Sequence, residues 1–255
     1  MKRLLPWGQP PRGNPARAHP AGNARTVAVT PARAVLSLYR DAPRLVRIHV
    51  RVRWATCPMQ AVAASIPAEG RILEVGCGHG LLANYLALES GPGRREVHGI
   101  DIDGPKIEAA RRAAGTSGAS FSSPPPGRLP EGPWDAIAIV DVLYLLSEAD
   151  QRLLLRDCAA GLAPDGVLVV KEMSPSPRWK AAWNRIQETL AVRLLGITEG
   201  GASFTFLPPG RLAGWMAEDG LAVSHRDLHK GYPHPHHLIV GRAGVGQGRV
   251  ARPEA

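Results

Sequence analysis

Residues 71–80 read R-I-L-E-V-G-C-G-H-G, and the architecture follows from how this stretch ends. Ile72, Leu73 and Val75 make a short apolar run that stops at three glycines on alternate positions, Gly76, Gly78 and Gly80. L-L-A-N-Y-L-A-L follows at 81–88. That order is strand, tight turn, helix, the opening of a nucleotide-binding α/β unit. Glycine suits the turn because it accepts positive φ and lets a ligand lie on bare backbone. About twenty residues on, Val97-His98-Gly99-Ile100 ends in Asp101, where a carboxylate can accept from both hydroxyls of a ribose. The G-x-G-x-x-G of nicotinamide enzymes is not met, since position 81 is Leu.

These stretches and two further landmarks resemble the class I S-adenosylmethionine-dependent methyltransferase family. E-V-G-C-G-H-G at 74–80 looks like its first motif, and G-I-D-I-D at 99–103 like its ribose-binding strand end. W-D-A-I-A-I-V-D-V-L-Y-L-L at 134–146 is similar to the fourth strand and its loop, and L-A-P-D-G-V-L-V-V-K-E at 162–172 to the turn into the fifth. The resemblance covers residues 66–242. It implies a Rossmann-like α/β fold: a seven-stranded, mostly parallel sheet with an antiparallel last strand, helices on both faces and a helical lid. It also implies S-adenosyl-L-methionine as cofactor.

With 255 residues the chain can hold one full α/β domain and a tail or lid. Three widely spaced cysteines, Cys57, Cys77 and Cys158, do not read as a disulfide framework and fit a reducing cytoplasm. Met1-Lys2-Arg3-Leu4-Leu5 begins like a signal peptide, but Pro6 to Pro11 breaks the apolar stretch at once. The net charge of +9 is localised. Residues 1–56 hold eleven of the 31 Lys/Arg and one of the 22 acids, Asp41, leaving 20 basic and 21 acidic groups elsewhere. A neutral body weighs against a nucleic-acid substrate, whose enzymes more often carry a basic face. The basic segment 1–56 is suited to peripheral contact with an anionic membrane surface.

Residues 1–30 are rich in Pro, Gly, Ala and Arg and read as a disordered leader. Apolar content rises over 31–65, the expected helical flank or lid. From Arg47 to Trp54 basic and apolar residues alternate, a strand period. The preceding part fits a helix better, and the family resemblance favours helix for the whole segment. The domain proper, 66–242, should run strand 71–76, helix 80–90, strand 96–102, helix 105–114, a short strand near 119–122 and strand 136–140. Helix 148–162, capped by Ser147, and strand 166–171 come next. A long helix at 177–196, a helix at 209–219 and strands 221–227 and 237–240 complete it. A frayed tail, 243–255, ends the chain.

Ligands of such sheets bind beyond the carboxyl ends of the strands. Gly76, Cys77, Gly78 and Gly80 should therefore flank the amino-acid part of the cofactor. By the resemblance Glu74 reaches the methionine amine, directly or through water, or else orients the loop. Asp101 should hold the ribose and Ile102 pack on adenine. Asp141, ending the fourth strand, could balance positive charge or bind the cofactor's amine. Tyr144 lines the pocket or simply packs. Glu172 touches substrate or pairs with Lys171 or Arg178, the pairing being favoured. In the turn Tyr232-Pro233-His234-Pro235-His236-His237, His234 and His236 are the candidate general bases, a neutral imidazole being suited to that role. A rim role is the plainer reading. No metal is expected, because the clustered histidines lack a second ligand group at recognisable spacing.

The substrate is bounded by exclusions. V-D-V-L stands where an N-P-P-Y tetrad would serve amino methylation of DNA bases, no Pro-Cys nucleophile loop is present, and Lys171-Glu172 replaces the Asp-Asn pair of metal-chelating catechol enzymes. A small-molecule or lipid-like acceptor remains, with oxygen favoured, enclosed by the aromatic-bearing segment 179–206. Nucleic acid is disfavoured, and the sequence leaves the oligomeric state open. A cofactor-binding non-catalytic relative and a membrane-surface methyltransferase are the alternatives.

Overall fold

The computed structural model describes residues 32–173, 204–228, 231–232 and 235–244. The elements are α1 (Ala32–Ser37), α2 (Arg44–Thr56), α3 (Met59–Ala63), β1 (Gly70–Val75), α4 (Leu81–Ser90), β2 (Arg95–Ile100), α5 (Gly104–Ala113), β3 (Ser120–Ser122) and β4 (Trp134–Val140). α6 (Glu148–Ala160), β5 (Leu162–Met173), α7 (Pro209–Glu218), β6 (Ala222–Asp227) and β7 (His236–Arg242) follow. The expected helix at 177–196 lies outside the described residues, as do the leader and most of the tail.

The seven strands are ordered β3-β2-β1-β4-β5-β7-β6. β1 to β5 pair in parallel, and β7 runs antiparallel to both β5 and β6. Chain order reverses between β1 and β4, so their carboxyl ends frame the crevice where open α/β sheets take ligands. Both faces of the central strands are covered, which is why 136–140 reads as a continuous apolar run rather than an alternating one. One face carries α1–α5 over Ile72, Val97, Ala138, Val169 and Leu238. The other carries α6 and α7 over Leu73, Ile137, Val170 and Ile239.

Local signals set the ends of the helices. Asp103 and Ser147 cap α5 and α6, their side chains accepting from the Lys106 and Asp150 amides. β5 is longer than its apolar run because Leu162 pairs with Trp134 before a register shift.

The alternation from Arg47 to Trp54 resolves as helix. Within α2, Val50 is buried and Trp54 packs edge-on against Tyr85 of α4, at 5.0 Å between ring centroids, whereas Ile48 and Val52 face out. α1–α3 and the turn after α1 contribute Val35, Tyr39, Val50, Met59 and Val62 to the same core as the sheet, so the flank is packed onto the domain it precedes.

Candidate active site

The glycine turn is tied to the tip of β2. The amides of Gly76 and Cys77 both donate to the Ile100 carbonyl, at 2.8 and 2.9 Å, and the Gly78 amide donates to Asp101 Oδ2 at 2.8 Å. Gly76 has φ +74°, and a Cβ there would sit 2.2 Å from Val142 just beyond β4. Gly78 has φ +53°, and nothing lies within 4 Å of where its Cβ would project. The loop is thus closed on its inner side and open on its outer side. The Cys77 thiol turns inward, its Sγ 3.9 Å from the Gly78 carbonyl. The side chain is buried, the Sγ also lies close to Gly99, and burial pushes the thiol far up.

Glu74 points toward α4 between small neighbours, Gly99 on β2 and Ala138 on β4. Its Oε2 accepts from the Ala83 amide at 2.8 Å, in the first turn of α4. Burial pushes this carboxyl up to about 8, against the stabilising Ala83 hydrogen bond and the Arg53 charge. At the β2 tip, Asp101 Oδ1 accepts from the Asp103 amide at 2.9 Å. Each carboxylate oxygen has a second lone pair, so hydroxyl donors can still be taken. Ile102 beside it is 70% exposed, an apolar side chain held out over the crevice.

Residues far from the loop in the chain hold it from above, with no motif in the sequence to mark them. The Tyr39 hydroxyl donates to the His79 carbonyl at 2.8 Å and accepts from Asn84 Nδ2 at 3.1 Å. His49 of α2 lies against His79, ring centroids 4.9 Å apart. Burial, with Arg53 and Lys106 nearby, pulls His49 down to about 4, and burial also lowers His79, so both rings are neutral at pH 7. His79 Nδ1 is buried without a hydrogen-bond partner among the described residues.

At the end of β4, Asp141 balances positive charge from the chain itself. This residue adopts φ +55° and is buried. Lys171 Nζ lies 2.6 Å from both carboxylate oxygens, and Arg53 Nη1 lies 2.6 Å from Oδ2. Burial would raise its pKa, but Arg53 and Lys171 outweigh that and hold it below the usual range. The carboxylate is thus shared between two cations of the chain, one from α2 and one from β5. Cys57 adds its thiol at 3.9 Å, and Arg53 also donates to the Val140 carbonyl at 3.3 Å. A helix upstream of the whole sheet is thereby anchored to the strand tip.

The favoured Glu172–Lys171 pairing does not form, because successive strand residues face opposite ways. Glu172 Oε1 instead accepts from the Val142 and Leu143 amides at 3.1 and 2.9 Å. Burial and the Asp141 charge push its carboxyl up to about 8. It lines a small pocket with Leu143, Tyr144, Met173, Phe206 and Leu212. Tyr144 and Phe206 stack there, 5.0 Å apart at 8° between planes. Arg178 lies outside the described residues.

Of the two candidate bases, His234 lies outside the described residues. His236 is the first residue of β7, not part of the turn. It is buried, and its Nε2 donates to the Thr56 carbonyl at 2.9 Å, which joins β7 to the end of α2. His237 does meet a carboxylate, Asp227 of β6, with Nδ1 2.6 Å from Oδ1. His225 Nε2 is 3.4 Å from the same oxygen, so cross-strand pairing assembles a His-Asp-His group that sequence spacing concealed.

Strand order, the antiparallel last pair, the glycine turn and the acid at the β2 tip are together the architecture of class I, S-adenosylmethionine-dependent methyltransferases. The chain belongs to the methyltransferase-domain family, whose model matches residues 47–226. It is 33% identical over 121 residues to the ribosomal RNA small subunit methyltransferase C of Chromohalobacter salexigens, covering 44% of this chain and 35% of that protein. Over 128 residues it is 32% identical to the fatty-acid O-methyltransferase of Mycolicibacterium smegmatis, covering 48% and 45%. The chain thus spans less than half the length of these two relatives. In fold it is similar to a Synechocystis magnesium protoporphyrin IX methyltransferase solved with S-adenosylhomocysteine, with a TM-score of 0.57, 15% identity, and coverage of 82% of this chain and 92% of that one.

S-adenosylmethionine is the cofactor of this family, and the residues present fit it. The open cradle at Gly78 is bonded to the Asp101 carboxylate, and the outward Ile102 follows at the same strand tip. Among the described residues no helix is long and apolar enough to cross a membrane.

Proposed function

We propose that this methyltransferase acts on a small-molecule or lipid-like acceptor, with oxygen receiving the methyl, at the cytoplasmic side and in peripheral contact with a membrane. The observation that carries this reading is the aromatic wall beyond β4 and β5, where Tyr144 stacks on Phe206 beside Leu143. A flat or extended apolar group suits such a wall. The fatty-acid O-methyltransferase relative supports it, and the near-neutral body weighs against the nucleic acid named for the other relative.

The chemistry the cofactor supplies when bound is an electrophilic sulfonium methyl. Residues of the chain contribute position and dryness rather than covalent steps. Glu74 braces α4 beneath the glycine turn, and Asp101 holds the turn at the β2 tip. Arg53 and Lys171 leave the β4 tip with one positive charge in excess over Asp141, which favours an anionic acceptor such as a carboxylate. A carboxylate needs no general base, since it arrives deprotonated. A phenol would need one.

Transfer of radiolabelled methyl from S-adenosylmethionine to a long-chain fatty acid, a polyprenylated phenol and small-subunit rRNA fragments tests the reading. Label should enter the lipid-like acceptors, as a base-labile ester from the acid. Label entering rRNA alone would overturn it.

A further inference from the structure

α2 carries two stripes at helical spacing. Leu45, Ile48 and Val52 recur at i, i+3, i+7 and face solvent, at 80%, 48% and 55% exposure. Arg44, Arg47 and Arg51 recur at the same spacing one residue earlier, so a basic stripe borders the apolar one. The helix contains no acidic residue. Arg47 and Arg51 continue into a cavity of about 320 Å³ between α1 and α2, whose rim is completed by Arg33 and Arg40 and whose floor holds Leu36, Tyr39 and Val50. Among the described residues, no carboxylate forms an ion pair with any of these five arginines.

We propose that the α1–α2 face is an interfacial docking site for anionic phospholipid, with Leu45, Ile48 and Val52 entering the acyl boundary and the Arg33–Arg40–Arg47–Arg51 cavity receiving a headgroup phosphate. Soluble proteins rarely leave three large aliphatic side chains in line on one helix face. A purely basic face would suit RNA as well. An apolar stripe beside arginines is the pattern of a helix lying in a membrane interface, where burial of the stripe and attraction to anionic headgroups add. Guanidinium groups suit phosphate because their donors match its oxygens two at a time.

The location has a consequence for access. The same helix sends His49 to the glycine turn and Arg53 to Asp141 from flanks beside the apolar stripe. Docking through α2 brings the crevice to the bilayer surface, where a lipid-like acceptor is concentrated. The docking claim deepens the lipid-like reading but is read out by binding alone, so each can fail without the other.

The test is sedimentation of the full chain with phosphatidylcholine vesicles, with and without phosphatidylglycerol. The variants are Leu45→Ser/Ile48→Ser/Val52→Ser and Arg33→Gln/Arg40→Gln/Arg47→Gln/Arg51→Gln. Binding is expected with phosphatidylglycerol and should weaken at high salt. Each variant should lower it, the arginine set by roughly a hundredfold or more, while affinity for S-adenosylmethionine is kept. Soluble glycerol phosphate should compete poorly, because it lacks the acyl chains. Three outcomes overturn the proposal. Both variants sediment like the parent, which assigns binding to the leader. The serine variant binds normally while a duplex RNA competes, which makes the face a nucleic-acid surface. Free phosphate displaces the protein at low concentration, which makes the cavity an ion site alone.

Discussion

Arg53 of α2 and Asp141 at the tip of β4 form an ion pair of 2.6 Å, with Lys171 of β5 closing the other side of the same carboxylate at 2.6 Å. Lys171 is fully buried, and Asp141 is the carboxylate it meets there. Removing one partner of a buried pair costs about 3–5 kcal/mol, because the other is left unpaired. Asp141→Asn should therefore destabilise by roughly that amount. Asn tolerates the left-handed backbone at this position, so the loss reports charge and not strain. In denaturant melts the double variant Asp141→Asn/Lys171→Met should recover much of the loss. Additive costs in that cycle would mean the two groups are not coupled.

Gly76 and Gly78 should fail in different ways. Gly76→Ala places a methyl against Val142 at a left-handed φ, a cost of roughly 2–4 kcal/mol from overpacking and strain together. Adding Val142→Ala should restore part of it. Gly78→Ala meets open space and carries only the conformational cost, about 1–2 kcal/mol. Its methyl would stand in the cradle, so cofactor affinity should drop much more than melting temperature. Calorimetric binding and thermal melts on the same samples separate the two behaviours.

Asp101 offers its carboxylate to the ribose while holding Gly78 and Asp103 by their amides. Charge-assisted hydrogen bonds are worth roughly 1.5–3 kcal/mol each, so Asp101→Ala should weaken cofactor binding at least tenfold. Asp101→Asn, which keeps one acceptor, should lose less. An unchanged dissociation constant in the alanine variant would move the ribose contact elsewhere.

Glu74 links binding to protons. Its folded pKa is raised from 4.5 to about 8, mainly by burial. Between those values the folded protein keeps a proton that the unfolded chain has released. Stability from this residue therefore falls as pH rises through the window. Glu74→Gln should flatten that slope in thermal melts. If the cationic end of the cofactor meets Glu74, it favours the carboxylate and expels the proton near pH 7. Binding enthalpies measured in buffers of different ionisation heat should show this release in the parent and not in Glu74→Gln. No buffer dependence in the parent would keep Glu74 as a brace for α4 alone.

The strand–turn–helix at 71–90, the acid at the β2 tip and the order of the α/β units were legible from sequence, because short apolar runs, glycines and caps act on their immediate neighbours. Cap residues such as Ser147 were legible for the same reason. Pairing across the sheet was not. Lys171 and Glu172 are adjacent in the chain, yet the pleat sends one to Asp141 and the other to the amides after β4. His236 reads as a turn residue but opens β7 and donates to Thr56. His225, Asp227 and His237 converge by the β6–β7 register alone. Arg47 to Trp54 alternates like a strand, but as a helix it divides its apolar residues, Val50 and Trp54 inward and Ile48 and Val52 outward. Local composition determined which elements form. Which side chains meet was decided by strand register and by the face on which α2 lands, since both depend on residues far apart in the chain.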